Sequence, residues 1–311
     1  EINLWDCCFA GELTLEKLVI HNSNVTYLGS LLAHTPKLET LLLSNLLGFG
    51  NASINQLEPV LFKLKHLKLQ NVSITDLAFT YMLQMVQRAG KYTKEKNDGI
   101  DTVMKLEHLE ILCKNVTNDI FKILVQCSKY MATNLKALNL NNCCITNGLD
   151  MYNFLYVCGY NIRDFGIGCP KIDDGILISG MITNDEANNN GKNVSMINNV
   201  NLQKLTLSQS NISGKSLTLI SSKFSHTLRR LNLSWCNSIH GKDFEVVCKI
   251  KCLAELICNH CRRLHSNDVI FMLLNCRSLN LLSCTSCPLV RLHEIKRKIS
   301  VHIRQKVMFQ C

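Results

Sequence analysis

Two Cys-x-x-Cys pairs near the C-terminus, Cys258-x-x-Cys261 and Cys284-x-x-Cys287, are separated by 22 residues. That is near the spacing of zinc sites in which four thiolates close a tetrahedron. His260 and His265 would add imidazole donors nearby. A second chemical motif, Gly166-Ile167-Gly168-Cys169-Pro170, carries half of a dinucleotide fingerprint. Its third glycine is missing, and Pro170 would interrupt the start of the helix that binds the pyrophosphate. The chain has no H-E-x-x-H, G-x-S-x-G or Walker A motif. A Cys–His nucleophile is left open, because such partners meet only in the fold. With 17 Cys and 10 His, some pair fits by chance. The expectation is a chain that catalyses nothing.

The elements that would have to position these residues follow from an internal repeat. An L-x-x-L-x-L frame, with other apolar residues allowed, starts at Leu15, Leu38, Leu64, Leu106, Leu135, Ile162, Leu202, Leu228, Leu253 and Leu279. The steps are 23, 26, 42, 29, 27, 40, 26, 25 and 26 residues, so the two long ones fit one repeat plus an insertion. Ile2-Asn3-Leu4 with Cys7 reads as the end of a truncated copy. Alternation at the second and third fixed positions gives a short strand with one buried face. A turn follows, then an amphipathic segment such as Asp76 to Leu83, which Thr75 or Asp76 would cap. One such unit cannot cover its own apolar face, so neighbours must stack. The expected fold is an α/β leucine-rich-repeat right-handed solenoid, a horseshoe of about ten or eleven repeats. Parallel strands line its concave face and helices lie outside.

The repeat also reinterprets the cysteines. Eight residues after the frame start come Cys143, Cys236, Cys261 and Cys287, with Val72, Pro170 and Ser210 in the slot elsewhere. Cys258 and Cys284 hold the third apolar position of their frames. Equivalent residues of stacked coils lie about one strand spacing apart, ~4.8 Å, and each pair within a coil is held apart by extended chain. Buried core thiols are therefore favoured over a metal centre; no metal and no cofactor are expected.

The segments Leu228-Arg229-Arg230-Leu231-Asn232-Leu233-Ser234-Trp235-Cys236-Asn237-Ser238-Ile239 and Leu135 to Thr146 resemble the cysteine-containing repeat of F-box/leucine-rich-repeat proteins. The resemblance extends over nearly the whole chain at repeat level. It implies a receptor that recruits substrates to an SCF-type cullin-RING ubiquitin ligase. The F-box would lie upstream of Glu1, and no adaptor-binding residue can be assigned within this chain. Related repeats also occur in proteins without an F-box, so a non-ligase scaffold in a larger assembly is the alternative.

Composition agrees with a large buried core: 47% of the 311 residues are hydrophobic and 19% charged. No apolar run is long enough for a membrane span. The cysteines, read as free thiols, point to a cytoplasmic or nuclear protein. Seven Asn-x-Ser/Thr sequons, at Asn24, Asn51, Asn71, Asn115, Asn193, Asn211 and Asn232, would point the other way if glycosylated. The chain is rich in Asn, however, and Asn232 falls in an expected strand. Residues 88–102 and 183–201 read as polar insertions between coils of an array spanning 1–290. Residues 291–311 read as a basic C-terminal cap helix or tail: Arg291 to Lys306 holds six Lys/Arg against one Glu, with Leu292, Ile295, Ile299 and Ile303 at helical spacing. The net charge of +10 is otherwise diffuse and comes with no nucleic-acid motif.

Residues between the leucines of each frame point to the concave face, where a protein partner would bind. They include Lys17, Val19, His66, Lys68, His108, Glu110, Asn139, Asp164, Lys204, Thr206, Arg230, Asn232, Glu255 and Ile257. Trp235, just before its cysteine slot, is the anchor candidate, because Trp is enriched at binding hot spots. The blander alternative is that it packs on the next coil.

Overall fold

The computed structural model describes residues 13–24, 28–96, 104–129, 134–181, 200–299 and 307–310. Eleven strands form one all-parallel sheet in strict sequence order. They are β1 (Lys17–His21), β2 (Thr40–Ser44), β3 (His66–Gln70), β4 (His108–Leu112), β5 (Ala137–Asn139), β6 (Asp164–Gly166), β7 (Lys204–Thr206), β8 (Arg230–Asn232), β9 (Glu255–Ile257), β10 (Leu281–Ser283) and β11 (Met308–Gln310). Coils are numbered here by their strands. Between them run α1 (Leu28–Ala33), α2 (Asp76–Lys96), α3 (Asp119–Gln126), α4 (Gly148–Cys158), α5 (Asp174–Met181), α6 (Gly214–Phe224), α7 (Phe244–Val247), α8 (Ser266–Asn275) and α9 (Leu292–Lys298). A 3-10 turn, Asn51–Leu57, takes the place of a helix in coil 2. This is the leucine-rich-repeat solenoid: strands on the concave side, helices outside.

The register follows the frame residue for residue. Lys17 pairs with Thr40, Thr40 with His66, His66 with His108 and His108 with Ala137. Farther along, Asp164 pairs with Lys204, Lys204 with Arg230, Arg230 with Glu255, and Leu281 with Glu255. Slipping by one residue would turn every leucine outward, so burial of one face fixes the register. Frame starts Leu38, Leu64, Leu202, Leu228, Leu253 and Leu279 are 0–1% exposed. Leu15, at the edge of the described array, is 38% exposed. Phe121 and Phe154 pack in the core with centroids 5.5 Å apart and rings tilted by 35°. Thr75 Oγ1 accepts from the Leu77 N–H at 3.3 Å and so caps α2.

Three expectations need correction. Residues 88–96, the first part of the expected insertion at 88–102, are helical: α2 runs through Gly90 to Lys96. An internal Gly costs a helix only ~1 kcal/mol, and neighbours such as Gln87, Ala89 and Lys91 are good helix formers. Residues 97–102 lie outside the described set, as do 183–199 of the second insertion and the truncated copy at residues 2–7. In the C-terminal stretch, α9 ends at Lys298 and an eleventh strand follows, with Leu282 pairing Phe309. The frame was hidden there because the sequence has Lys306, not an apolar residue, three places before Phe309. Pro170 is exposed and does not fill the cysteine slot; the neighbouring Cys169 is buried instead.

Among the described residues no helix is long and apolar enough to cross a membrane.

Candidate functional site

Strands β1, β3, β4, β7, β8 and β9 alternate buried and outward side chains, and the registered outward positions make a row across the sheet. In coils 3 and 4, His66 and His108 stack at 4.3 Å between centroids, with an interplanar angle of 21°. Beside them Lys68 Nζ lies 3.3 Å from Glu110. Partial burial lowers the pKa of His108, and the neighbouring His66 lowers it further. The pair therefore favours a neutral His108 at neutral pH.

Farther along, Lys204 Nζ stands 3.9 Å from Asp164, and Arg230 stands 3.1 Å from Glu255. Burial raises the carboxyl of Asp164 above its usual range, and Lys204 and Arg230 oppose that rise. Thr206, Asn232 and Ile257 are in register as a second row. The Asn232 side-chain oxygen is turned into its own loop, accepting from Ser234 N and Oγ at 3.0 and 2.8 Å. The sheet thus brings the sequence-selected residues together as laterally compensated pairs, not as a focus of one charge. Exposed pairs of this kind contribute only ~0–1 kcal/mol each to stability, so their side chains can be re-partnered at little cost.

Trp235 lies outside that row, in the turn after β8. It is 43% exposed and has a positive φ of 65°. Its ring stacks on His260 of the next coil at 4.0 Å and 13°. One ring face of Trp235 thus packs on the next coil, and much of the residue meets solvent.

Sequence reasoning missed what this turn position does. Seven residues after the frame start, Asn22, Asn45, Asn71, Asn142, Gln209, Trp235, His260 and Ser286 all have φ between 50° and 67°. Asn tolerates the left-handed region and a bulky side chain does not. The recurrence of Asn at this offset was the available signal.

The cysteine slot has an equally regular role. Cys143 Sγ donates to Ile111 O at 3.1 Å, Cys236 to Leu207 O at 3.0 Å, Cys261 to Leu233 O at 3.3 Å and Cys287 to Cys258 O at 3.1 Å. Each acceptor is the third apolar residue of the preceding frame. In these joints, registered pairing stops one residue before that carbonyl. Burial pushes Cys143, Cys236 and Cys261 up to about 12, so they stay protonated as donors. Cys258 is also raised and donates to Ser283 O at 3.4 Å. Three of the four thiols of the two Cys-x-x-Cys pairs, those of Cys258, Cys261 and Cys287, are thus aimed at separate carbonyls. Among the described residues no group of three or more His, Cys, Asp or Glu is placed to hold a metal ion.

The glycines of the half-fingerprint are packing residues. A Cβ on Gly168 would lie 2.1 Å from Ser208 O, and one on Gly166 would lie 2.7 Å from Asn139 Oδ1.

No protein-family model matches the chain, and no curated protein does. Among solved structures it is similar to a chain of the crystal structure of the Rad7 and Elc1 complex in yeast, at 15% identity and a TM-score of 0.46. That match covers 91% of this chain and 76% of the other. A chain of the mouse RP105/MD-1 complex is similar at 16% identity and a TM-score of 0.44, covering 87% of this chain and 38% of that one. At these values the likeness says nothing of activity or partner.

Proposed function

We propose that this chain is a protein-recognition module that holds its partner on the concave strand face. The observation that carries this is the continuous outward row of eleven registered strands, with the helices on the opposite side. Its charges are paired laterally and remain solvent-accessible, as with Arg230 and Glu255 at 44% and 39% side-chain exposure. A broad, mixed face of this kind suits a folded protein surface rather than a small ligand. In this reading the chain is no enzyme and needs no metal or cofactor. It acts in the cytoplasm or nucleus.

The finer reading rests on the resemblance of the repeats: recruitment of a protein substrate to an SCF-type cullin-RING ubiquitin ligase, with the adaptor bound through an F-box outside residues 1–311. A pull-down of the full-length product, probed for adaptor and cullin, tests it. Recovery of both supports the receptor reading; their absence alongside other stable partners leaves the scaffold. Within either reading, Arg230→Glu with Lys204→Glu should weaken partner capture at least tenfold while leaving the circular dichroism spectrum unchanged. Unaltered capture would remove the concave face as the site.

A further inference from the structure

Besides the thiols that donate to carbonyls, two cysteines of neighbouring coils face each other. Cys248 follows α7 as its C-cap in coil 8, and Cys276 follows α8 as its C-cap in coil 9. Cys276 Sγ donates to Cys248 Sγ at 2.9 Å. Only ~0.9 Å separates that distance from the ~2.05 Å of a covalent S–S bond. Cys276 is 8% exposed and Cys248 is half-buried, so Cys248 is the more accessible residue of the two.

We propose that Cys248 and Cys276 form a dithiol modification site, oxidised by a small peroxide to a disulfide that staples coil 8 to coil 9. Cys248 is the attacking sulfur. Its thiolate displaces hydroxide from hydrogen peroxide, breaking the O–O bond and leaving a sulfenic acid and, after proton uptake, one water. Cys276 then loses its proton and attacks the sulfenic sulfur. The S–O bond breaks, the second water leaves, and the two thiols have lost two electrons to the peroxide. The electrostatics support this order: the hydrogen bond from Cys276 lowers the Cys248 thiol, opposed by burial and by Glu245, and the same bond raises Cys276. The staple would fix the two coils that carry the Trp235–His260 stack and the Arg230–Glu255 pair.

Among the described residues two other thiols compete on accessibility. Cys252, also half-buried, donates to His226 O at 3.2 Å, and Cys144 accepts from Lys171 Nζ at 3.1 Å. Neither faces a second sulfur in these contacts. The test exposes the reduced full chain to equimolar hydrogen peroxide and maps the cysteines by peptide mass spectrometry.

The expected product is a Cys248–Cys276 cross-linked peptide, lighter by two hydrogen atoms, reversed by dithiothreitol. Cys248→Ser should abolish the cross-linked peptide and leave Cys276 as a free thiol, and Cys252→Ser should leave the cross-link unchanged. Cys276→Ser should let a dimedone probe trap sulfenic acid on Cys248. If serine at that buried position disturbs folding, the apolar Cys276→Ala gives the same readout. A cross-link that joins Cys144 or Cys252, overoxidation of Cys248 without a cross-link, or sulfenic acid trapped first on Cys276 in Cys248→Ser would each overturn the assignment.

Discussion

The turn after each strand is held by side-chain amides in coils 1–3 and by a stacked Trp–His pair in coils 8 and 9. In the first region Asn45 Nδ2 donates to Asn22 Oδ1 at 2.9 Å, and Asn71 Nδ2 to Asn45 Oδ1 at 3.0 Å. Those strands pair over five residues. In the second, Trp235 and His260 occupy the same backbone conformation, the strands pair over three residues, and a buried thiol serves the next carbonyl. One region spends a residue type suited to the left-handed turn on the turn itself. The other accepts a poorly suited residue and gains an exposed aromatic surface. Unfavourable backbone geometry retained at a surface position is a recurring mark of function, and under the proposed function this contrast puts the turn after β8 at the edge of the partner face.

The largest separation of the two regions should come at alkaline pH. The unfolded thiol ionises near its ordinary value of 9.0, whereas burial raises Cys236 and Cys261 to about 12 in the folded coils. The unfolded state therefore loses protons first, and stability falls as pH rises from about 9 to about 12. Hydrogen exchange referenced to intrinsic rates should show coils 7–9 opening before coils 1–3; equal opening would erase the contrast.

Next in size is Cys236→Ser. A hydroxyl on the shorter C–O bond should not reach Leu207 O, and an unpartnered buried hydroxyl costs ~1–3 kcal/mol. The chain contains its own precedent in Ser210, which occupies the same slot with no partner for its Oγ. Ser210→Cys should accordingly stabilise the fold, and urea midpoints of the two variants should move in opposite directions.

Asn45→Ala removes both amide links and puts a Cβ-bearing, non-Asn residue at a φ of 53°. A loss of ~1–2 kcal/mol by chemical denaturation is expected, and Asn45→Gly should recover part of it.

On the acid side the expected effect is smaller. The pKa of His108 is lowered in the folded protein, so acidification through 6.5 protonates the unfolded chain first. Stability falls with pH until the folded value is passed, and His108→Gln should flatten that slope in a pH series of melting curves.

Trp235→Asn should change stability least, since relief of the turn offsets the lost stack, to within ~0.5 kcal/mol. Partner affinity measured by calorimetry should nevertheless drop sharply. Retained affinity would reduce Trp235 to a packing residue.

Much of this molecule was legible in order of residues alone. The spacing from Leu38 to Leu279 predicts every strand from β2 to β10, because burying one face of a two-residue period leaves only one register. The offset of Cys143, Cys236, Cys261 and Cys287 likewise marks a repeated buried slot. The eleventh strand was not legible, since Lys306 stands in the sequence where the frame asks for an apolar start. The continuation of α2 through Gly90 was also lost, because a glycine's helix cost is small enough for its neighbours to override.

What only tertiary structure decided is which atoms meet across coils. Sequence separation carries no direction, so it could not say that Cys261 reaches back to Leu233 O, that Cys248 and Cys276 face each other, or that Lys68 meets Glu110. Those contacts depend on how consecutive coils are superposed, and stacking alone converts a list of equivalent positions into ladders, pairs and a face.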